Sequence, residues 1–364
     1  MPTVLDWSPT VDPSEFVRNL AEVLAVGSPV VLPGECGYVV LVNPTGPNAG
    51  PHLAALAAAG ADRPAVLAWG SDTLAGLGLP VSLVGRRLTR RAWPGPLLVR
   101  VPGRPHWPTD WPEVVRAALA PDGSPVGFRC PEHPLFEAAA PALDSPLLAV
   151  DTFRPTAEEA LDAVDDPGAL AVSVGERPAA GQPTVVTLTD AGYEITEPGL
   201  LPTDEIEKYA ARLVLFVCTG NTCRSPLAAA LASRLLCDRL GCSPEELPRR
   251  GLWLLSAGVA TSGGSPASEE SVAVAAEFGI DLSRHRSRPV NPELLSAADE
   301  VIAMTAAHIH ALVHRFGPTG PPPRLLCGDD DLDDPIGAGL DTYRQCAQKI
   351  LTNLERFLTE WVGP

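Results

Sequence analysis

The chain has 364 residues, 45% hydrophobic and 20% charged, with 44 acidic side chains against 27 basic ones and a net charge of −17. That length suffices for two domains with ample cores, and no apolar stretch approaches the roughly 18 residues of a membrane span, which excludes a helical membrane protein. Eight irregularly spaced cysteines, in a sequence without a secretory leader pattern, exclude a disulfide-stapled secreted scaffold and imply reduced thiols in a cytoplasm. The acidity is uneven: residues 1–205 carry 12 Arg and no Lys against 25 acids (−13), and residues 206–364 carry 15 basic against 19 acidic side chains (−4). Forty prolines and two lysines mark an Arg- and Pro-rich usage that reads as coding bias.

In chain order, a helix is predicted over Pro13–Val26, passing through Gly27 into a strand at Val30–Leu32, and the first half continues as mixed α/β. Between Gly199 and Arg212, Leu-Pro-Thr-Asp-Glu-Ile-Glu-Lys reads as a polar connector. The expected organisation is therefore a domain over residues 1–200, a linker over 201–211 and a domain over 212–364. The second half alternates strictly. Strands are predicted at Leu213–Val217, Leu252–Leu255, Glu300–Met304 and Arg324–Cys327. Helices are predicted from Pro226, near Ala267–Phe278, over Thr305–Phe316 and from about Gly339 to Trp361. Such alternation argues a Rossmann-like parallel sheet with helices on both faces, whose active loops lie at the carboxyl ends of strands.

One such end carries Cys218-Thr-Gly-Asn-Thr-Cys-Arg224-Ser225-Pro226. Pro226 suits the first turn of a helix. The five residues from Thr219 to Cys223 can curl with their N–H groups inward, and the helix N-terminus below adds partial positive charge, so Thr219, Gly220, Asn221, Thr222 and Cys223 form a phosphate cradle. The planar fork of Arg224 closes it on two phosphate oxygens. In that field Cys218 becomes a nucleophile, with Ser225 donating a steadying hydrogen bond.

The segment resembles the C-x5-R-S-P loop of the low-molecular-weight protein tyrosine phosphatases. Ser256-Ala-Gly258, Gly279-Ile-Asp-Leu-Ser-Arg-His-Arg-Ser287, Ala298-Asp-Glu-Val-Ile-Ala-Met304 and Asp333-Asp334-Pro335 are similar, in order, to that family's further motifs. The resemblance implies a cysteinyl-phosphate mechanism on a phosphorylated protein, needing no metal and no cofactor. Asp334 would be the acid and then the base, Asn221 would shape the loop, and His285 and His308 would be structural. It also implies that Thr222 marks a phosphoarginine phosphatase and a larger aliphatic a tyrosine-directed one. Ile336-Gly337 supplies neither the aromatic wall of tyrosine-directed relatives nor the Phe common in arginine-directed ones. Phosphoarginine is favoured, with phosphotyrosine the alternative. Cys223, in the same loop as Cys218, is a candidate disulfide partner under peroxide. An arsenate reductase is disfavoured, since no cysteine lies between Cys242 and Cys327.

In the first half, Trp93-Pro-Gly-Pro96, Arg129-Cys-Pro-Glu-His-Pro134 and Pro183-Thr-Val185 resemble the W-P-G-P, R-x-P-x-H-P and S-T-V of the YrdC family, the threonylcarbamoyl-adenylate synthases of tRNA modification. The departures are substantial. The family's P-T-x-T-x-Y-G-L has become Pro33-Gly-Glu-Cys-Gly-Tyr-Val-Val40, its K-x-R falls near Asp62-Arg63-Pro64 without a lysine, and its T-S-A-N reads Val150-Asp-Thr-Phe153. The expectation is a degenerate synthase fold with a binding role; an active synthase is the alternative. RNA or nucleotide is the candidate partner at this domain, with Arg86, Arg87, Arg90 and Arg91 as its one basic cluster, for which a solvated helix face is the favoured reading.

Overall fold

The computed structural model describes residues 2–8, 12–140, 143, 146–177 and 181–362. The chain forms two compact units, Met1–Tyr209 and Ala210–Pro364.

Unit 1 is organised by a mixed sheet of ten strands among the described residues: β1 (Thr3–Asp6), β2 (Val30–Gly34), β3 (Gly37–Val42), β4 (Ala65–Leu67), β5 (Leu97–Val101), β6 (Val126–Arg129), β7 (Leu148–Asp151), β8 (Leu170–Ser173), β9 (Thr184–Thr189) and β10 (Gly192–Glu197). Their spatial order is β1-β8-β2-β3-β7-β4-β6-β5-β9-β10. The helices are α1 (Pro13–Ala25), α2 (Ala49–Ala58), α3 (Leu83–Ala92), α4 (Glu113–Leu119), α5 (Pro134–Ala139), α6 (Ala157–Asp162) and α7 (Thr203–Ala210). Strands β2 and β3 pair antiparallel, with Val30 opposite Leu41, and every residue of both is buried. Continuous apolar runs of this kind suit strands covered on both faces, whereas β10 at the edge alternates half-buried and exposed. Helix α1 starts where Asp12 accepts from the Ser14 N–H at 2.9 Å, and it buries Phe16, Leu20 and Leu24 at a spacing of four.

Residues 203–210, expected within a connector, are helical instead. Ile206 of α7 is buried, and the Arg91 guanidinium donates to the carbonyls of Lys208 and Tyr209 at the helix end, at 3.4 and 2.8 Å. A cation there meets the negative end of the helix dipole. Arg87 and Arg90 also have partners, so at least these members of the basic cluster are engaged rather than simply solvated.

Unit 2 carries a parallel sheet of β11 (Arg212–Cys218), β12 (Leu252–Gly258), β13 (Glu300–Ala303) and β14 (Arg324–Leu325) in the order β12-β11-β13-β14. Its helices are α8 (Arg224–Leu240), α9 (Glu269–Glu277), α10 (Pro292–Ala297), α11 (Ala306–Phe316) and α12 (Leu340–Val362). Successive residues of the central β11 face opposite sides. Leu213, Leu215 and Val217 join a core with Leu295, Val301 and Leu312, while Val214, Phe216 and Cys218 join one with α8, α9 and α12. This is the expected doubly covered sheet. The fourth strand ends two residues early, because Cys327 bridges back to Asp330 in a turn.

Candidate active site

Cys218 is the last residue of β11, and Arg224 opens α8. The loop between them bends at Asn221, whose φ of 54° lies in the left-handed region that Asn tolerates among non-glycine residues. Its side chain is fully used. Nδ2 donates to the hydroxyls of Ser225 and Ser256, both at 2.9 Å, and Oδ1 accepts from the Arg288 N–H at 2.9 Å. The Asn221 carbonyl accepts from His285 Nε2 at 2.7 Å. Burial pushes the His285 pKa down, a shift this hydrogen bond opposes. The bend turns the Asn221 N–H onto Cys218 Sγ at 3.3 Å, and Ser225 Oγ stands 3.0 Å from the same sulfur. Cys218 thus sits buried at the floor of the loop with two hydrogen-bonding groups on it.

Gly258 presses against this loop from the end of β12. A Cβ there would lie 2.6 Å from the Thr219 carbonyl oxygen and 3.0 Å from the Asn221 nitrogen. The Ser-Ala-Gly motif is therefore a steric requirement of the loop: Ser256 bonds Asn221, and Gly258 lets the backbones approach.

The buried Arg224 guanidinium donates through Nη1 to the Leu332 carbonyl at 3.1 Å and through Nη2 to Asp334 Oδ2. Asp334 Oδ1 accepts from the Ile336 N–H at 3.3 Å, which orients the half-exposed carboxylate towards the loop. Asp333 is exposed and has no such contact with Arg224, whereas Asp331 caps α11 by accepting from the Ala306 N–H at 2.7 Å. The acidic run is thus divided by role, with Asp334 the member on the loop arginine.

His308 lies beside the first loop residue. Its Nε2 stands 2.8 Å from Thr219 Oγ1 and its Nδ1 2.9 Å from Thr305 Oγ1. Burial, reinforced by the nearby Arg224 charge, brings its pKa down to about 4, so the ring is neutral at pH 7. Cys223 directs its sulfur to Tyr343 Oη at 3.3 Å and Ser268 Oγ at 3.4 Å. Ser268, Tyr343 and Arg288 were not singled out from the sequence; they come from segments far along the chain, and only packing brings them to the loop. Among the described residues, no group of three or more His, Cys, Asp or Glu is placed to hold a metal ion, and no helix is long and apolar enough to cross a membrane.

In unit 1 the family-like motifs converge on Arg129, the fully buried end of β6. It donates to Glu35 at 2.9 Å, to Asp151 at 3.1 Å and to the Gly95 carbonyl at 2.5 Å. The two carboxylates hold it charged against the desolvation that opposes it. Burial pushes the neighbouring thiols of Cys36 and Cys130 up to about 12.

Comparison with known proteins supplies the family. Residues 213–362 match the model of the low molecular weight phosphotyrosine protein phosphatases, and residues 22–199 match the Sua5/YciO/YrdC model, described as telomere recombination. The chain is 37% identical over 148 residues to a protein-arginine-phosphatase of Geobacillus stearothermophilus, covering 39% of this chain and 91% of that protein. It is 34% identical over 142 residues to the protein-arginine-phosphatase of Bacillus subtilis, covering 38% of this chain and 88% of that one. To the low molecular weight protein-tyrosine-phosphatase PtpB of Staphylococcus haemolyticus it is 33% identical over 141 residues, covering 38% and 91%. Unit 2 therefore corresponds to nearly the whole of each relative. The chain belongs, through this unit, to the low molecular weight phosphotyrosine protein phosphatase family, fused to a Sua5/YciO/YrdC-type domain.

Proposed function

We propose that unit 2 hydrolyses phosphoarginine in proteins through a cysteinyl-phosphate intermediate, with Cys218 as nucleophile, Arg224 as phosphate clamp and Asp334 as acid and base. Cys218 Sγ forms the S–P bond in line as the bond to the leaving nitrogen breaks, and Asp334 delivers the proton that the leaving nitrogen takes. Water then attacks phosphorus, Asp334 takes its proton, and inorganic phosphate leaves with the Cys218 sulfur restored. The loop N–H groups, the N-terminus of α8 and Arg224 meet the charge on the equatorial oxygens. Thr219, Gly220, Thr222 and Cys223 supply cradle backbone, and Asn221 and Ser225 fix its shape. Phosphate competes with Asp334 for the Arg224 fork, so substrate binding frees the carboxylate to face the leaving group.

The observation that carries the choice of phosphoarginine is Thr222. It stands half-buried in the loop, at the position where the family resemblance implies Thr for arginine-directed members and a larger aliphatic for tyrosine-directed ones. Ile336, 67% exposed after Asp334-Pro335, matches neither the aromatic wall of tyrosine-directed relatives nor the Phe of arginine-directed ones and leaves the choice to Thr222. The test is phosphate release from matched phosphoarginine and phosphotyrosine peptides, with Cys218→Ser as blank. Phosphoarginine should be preferred by at least about tenfold in kcat/KM, and Thr222→Ile should lose that preference. Equal or reversed preference in the natural sequence would make it a tyrosine phosphatase.

Unit 1 is read as a binding module without synthase activity. The support is the Glu35–Arg129–Asp151 cluster, in which an arginine of the synthase-like motifs is neutralised by two carboxylates of its own chain, in a unit without a lysine up to residue 205. Calorimetry with ATP should give no binding heat; ATP-, threonine- and bicarbonate-dependent product would establish a second enzyme.

A further inference from the structure

Helix α8 connects the phosphate loop to a second pair of thiols. It ends in a left-handed cap at Gly241 (φ 60°, ψ 44°), and both the Gly241 and the Cys242 N–H groups donate to the Cys237 carbonyl, the latter at 3.2 Å. In this Schellman-type ending the residue after the cap and the residue five before it face each other, usually as an apolar contact. Here both positions are cysteines. Both are free thiols.

Their surroundings differ. Cys237 is buried against the α8 core, whereas Cys242 is half-buried. Both line a cavity of about 720 Å³ between the end of α8 and the Gly279–Arg284 segment, open to solvent and bordered by Arg234, Asp238 and Arg284. Cys237 lies 13 residues after Arg224 on α8, about 20 Å along the helix axis. The pair is therefore separate from Cys218 and takes no part in phosphate chemistry.

We propose that Cys237 and Cys242 are a reversible oxidation site, closing into a disulfide across the α8 cap when the protein meets a peroxide. Cys242, the accessible partner, attacks the peroxide O–O bond, becoming a sulfenic acid as the second oxygen leaves as water. Cys237 then attacks that sulfur, forming the S–S bond and expelling a second water. Two thiols are oxidised, one peroxide is reduced, and a reducing thiol reverses the reaction. The shared main-chain hydrogen bond holds the backbones close enough for the Cα separation of about 4.4–6.8 Å that a disulfide requires. Burial, with Cys242 adjacent, raises the Cys237 pKa to about 11, which suits it to the second step rather than the first. The site lets unit 2 register oxidant at a place distinct from its catalytic cysteine.

The experiment exposes the full-length chain to hydrogen peroxide, alkylates the remaining thiols and digests with trypsin without reduction. Arg239 lies between the two cysteines, so trypsin separates Leu235–Arg239 from Leu240–Arg249 unless a disulfide joins them. The joined peptide should appear, vanish on treatment with dithiothreitol, and be absent from both Cys242→Ser and Cys242→Ala. The oxidised natural protein should melt about 2–4 °C above its reduced form, and the Cys242 variants should show no such rise. Recovery of Cys237 and Cys242 as alkylated thiols under conditions that oxidise Cys218 would overturn the proposal. So would over-oxidation of Cys242 to sulfinic acid with Cys237 still reduced.

Discussion

Asp334, on Arg224, and His308, on Thr219, both border the loop and make opposite demands on protons. If Asp334 protonates the leaving atom, Asp334→Asn should lower kcat by about 10²–10⁴ on poor leaving groups and far less on an activated aryl phosphate, whose leaving oxygen needs no acid. Parallel pH–rate profiles on both substrate types would reveal this, and equal losses would remove the role from Asp334. His308 acts through Thr219, and its effect belongs to stability. An unfolded histidine takes up its proton below about pH 6.5, whereas folded His308 does so only near 4. Across that interval the unfolded chain binds more protons, so stability falls as pH drops from about 6.5 towards 4. His133, also held down to about 4 by burial and by the Arg177 charge, adds the same trend in unit 1. The urea midpoint should therefore decline from pH 7 to pH 5, and less steeply in His308→Gln. An unchanged slope in that variant would show that His308 does not titrate as its surroundings demand.

At the scale of elements, the ends of β11 and β12 define the loop as much as the loop's own sequence does. Gly258→Ala places a methyl against the Thr219 carbonyl and the Asn221 nitrogen, and this contact with backbone cannot be relieved by a rotamer change. A displacement of the cradle by even about 1 Å should lower kcat/KM by about 10², with a smaller effect on the unfolding midpoint. In unit 1 the corresponding element-level device is the meeting of β6, β7 and the β2–β3 turn at Arg129. Arg129→Met would leave the buried Asp151 and the neighbouring Glu35 without their cation. The cost expected for breaking a buried pair is about 3–5 kcal/mol, so unit 1 should unfold at a distinctly lower denaturant concentration.

At the scale of the whole molecule, two sheets with separate cores divide the chain near residue 210, and the phosphatase relatives correspond to the second unit alone. Each catalytic candidate, from Cys218 to Asp334, belongs to that unit, as do the side chains that hold them. Residues 206–364 alone should therefore hydrolyse a small aryl phosphate at a rate within about threefold of the full chain, since the transition-state contacts are all retained. Loss of turnover in the fragment, with its circular dichroism unchanged, would show that unit 1 contributes to catalysis.

What the sequence by itself determined is local chemistry and pattern. The Leu213–Val217 run, the following seven-residue motif and Pro226 fix a strand, a cradle and a helix start. The alternation of apolar strands with helices then fixes a parallel sheet and places Cys218 at its carboxyl edge. Helix α10, absent from the predicted elements, is capped by Asn291 and begins at Pro292, in a segment too short to show a period. Only the tertiary structure decided that Asp334, the aspartate the resemblance singles out, meets Arg224, that His308 reaches Thr219, and that a connector-like stretch becomes α7. It also revealed that Arg129 is closed off by Glu35 and Asp151. Each of these depends on side chains distant in sequence meeting in space, and the physical reason is that burial and charge pairing are set by packing between elements, which no local pattern records.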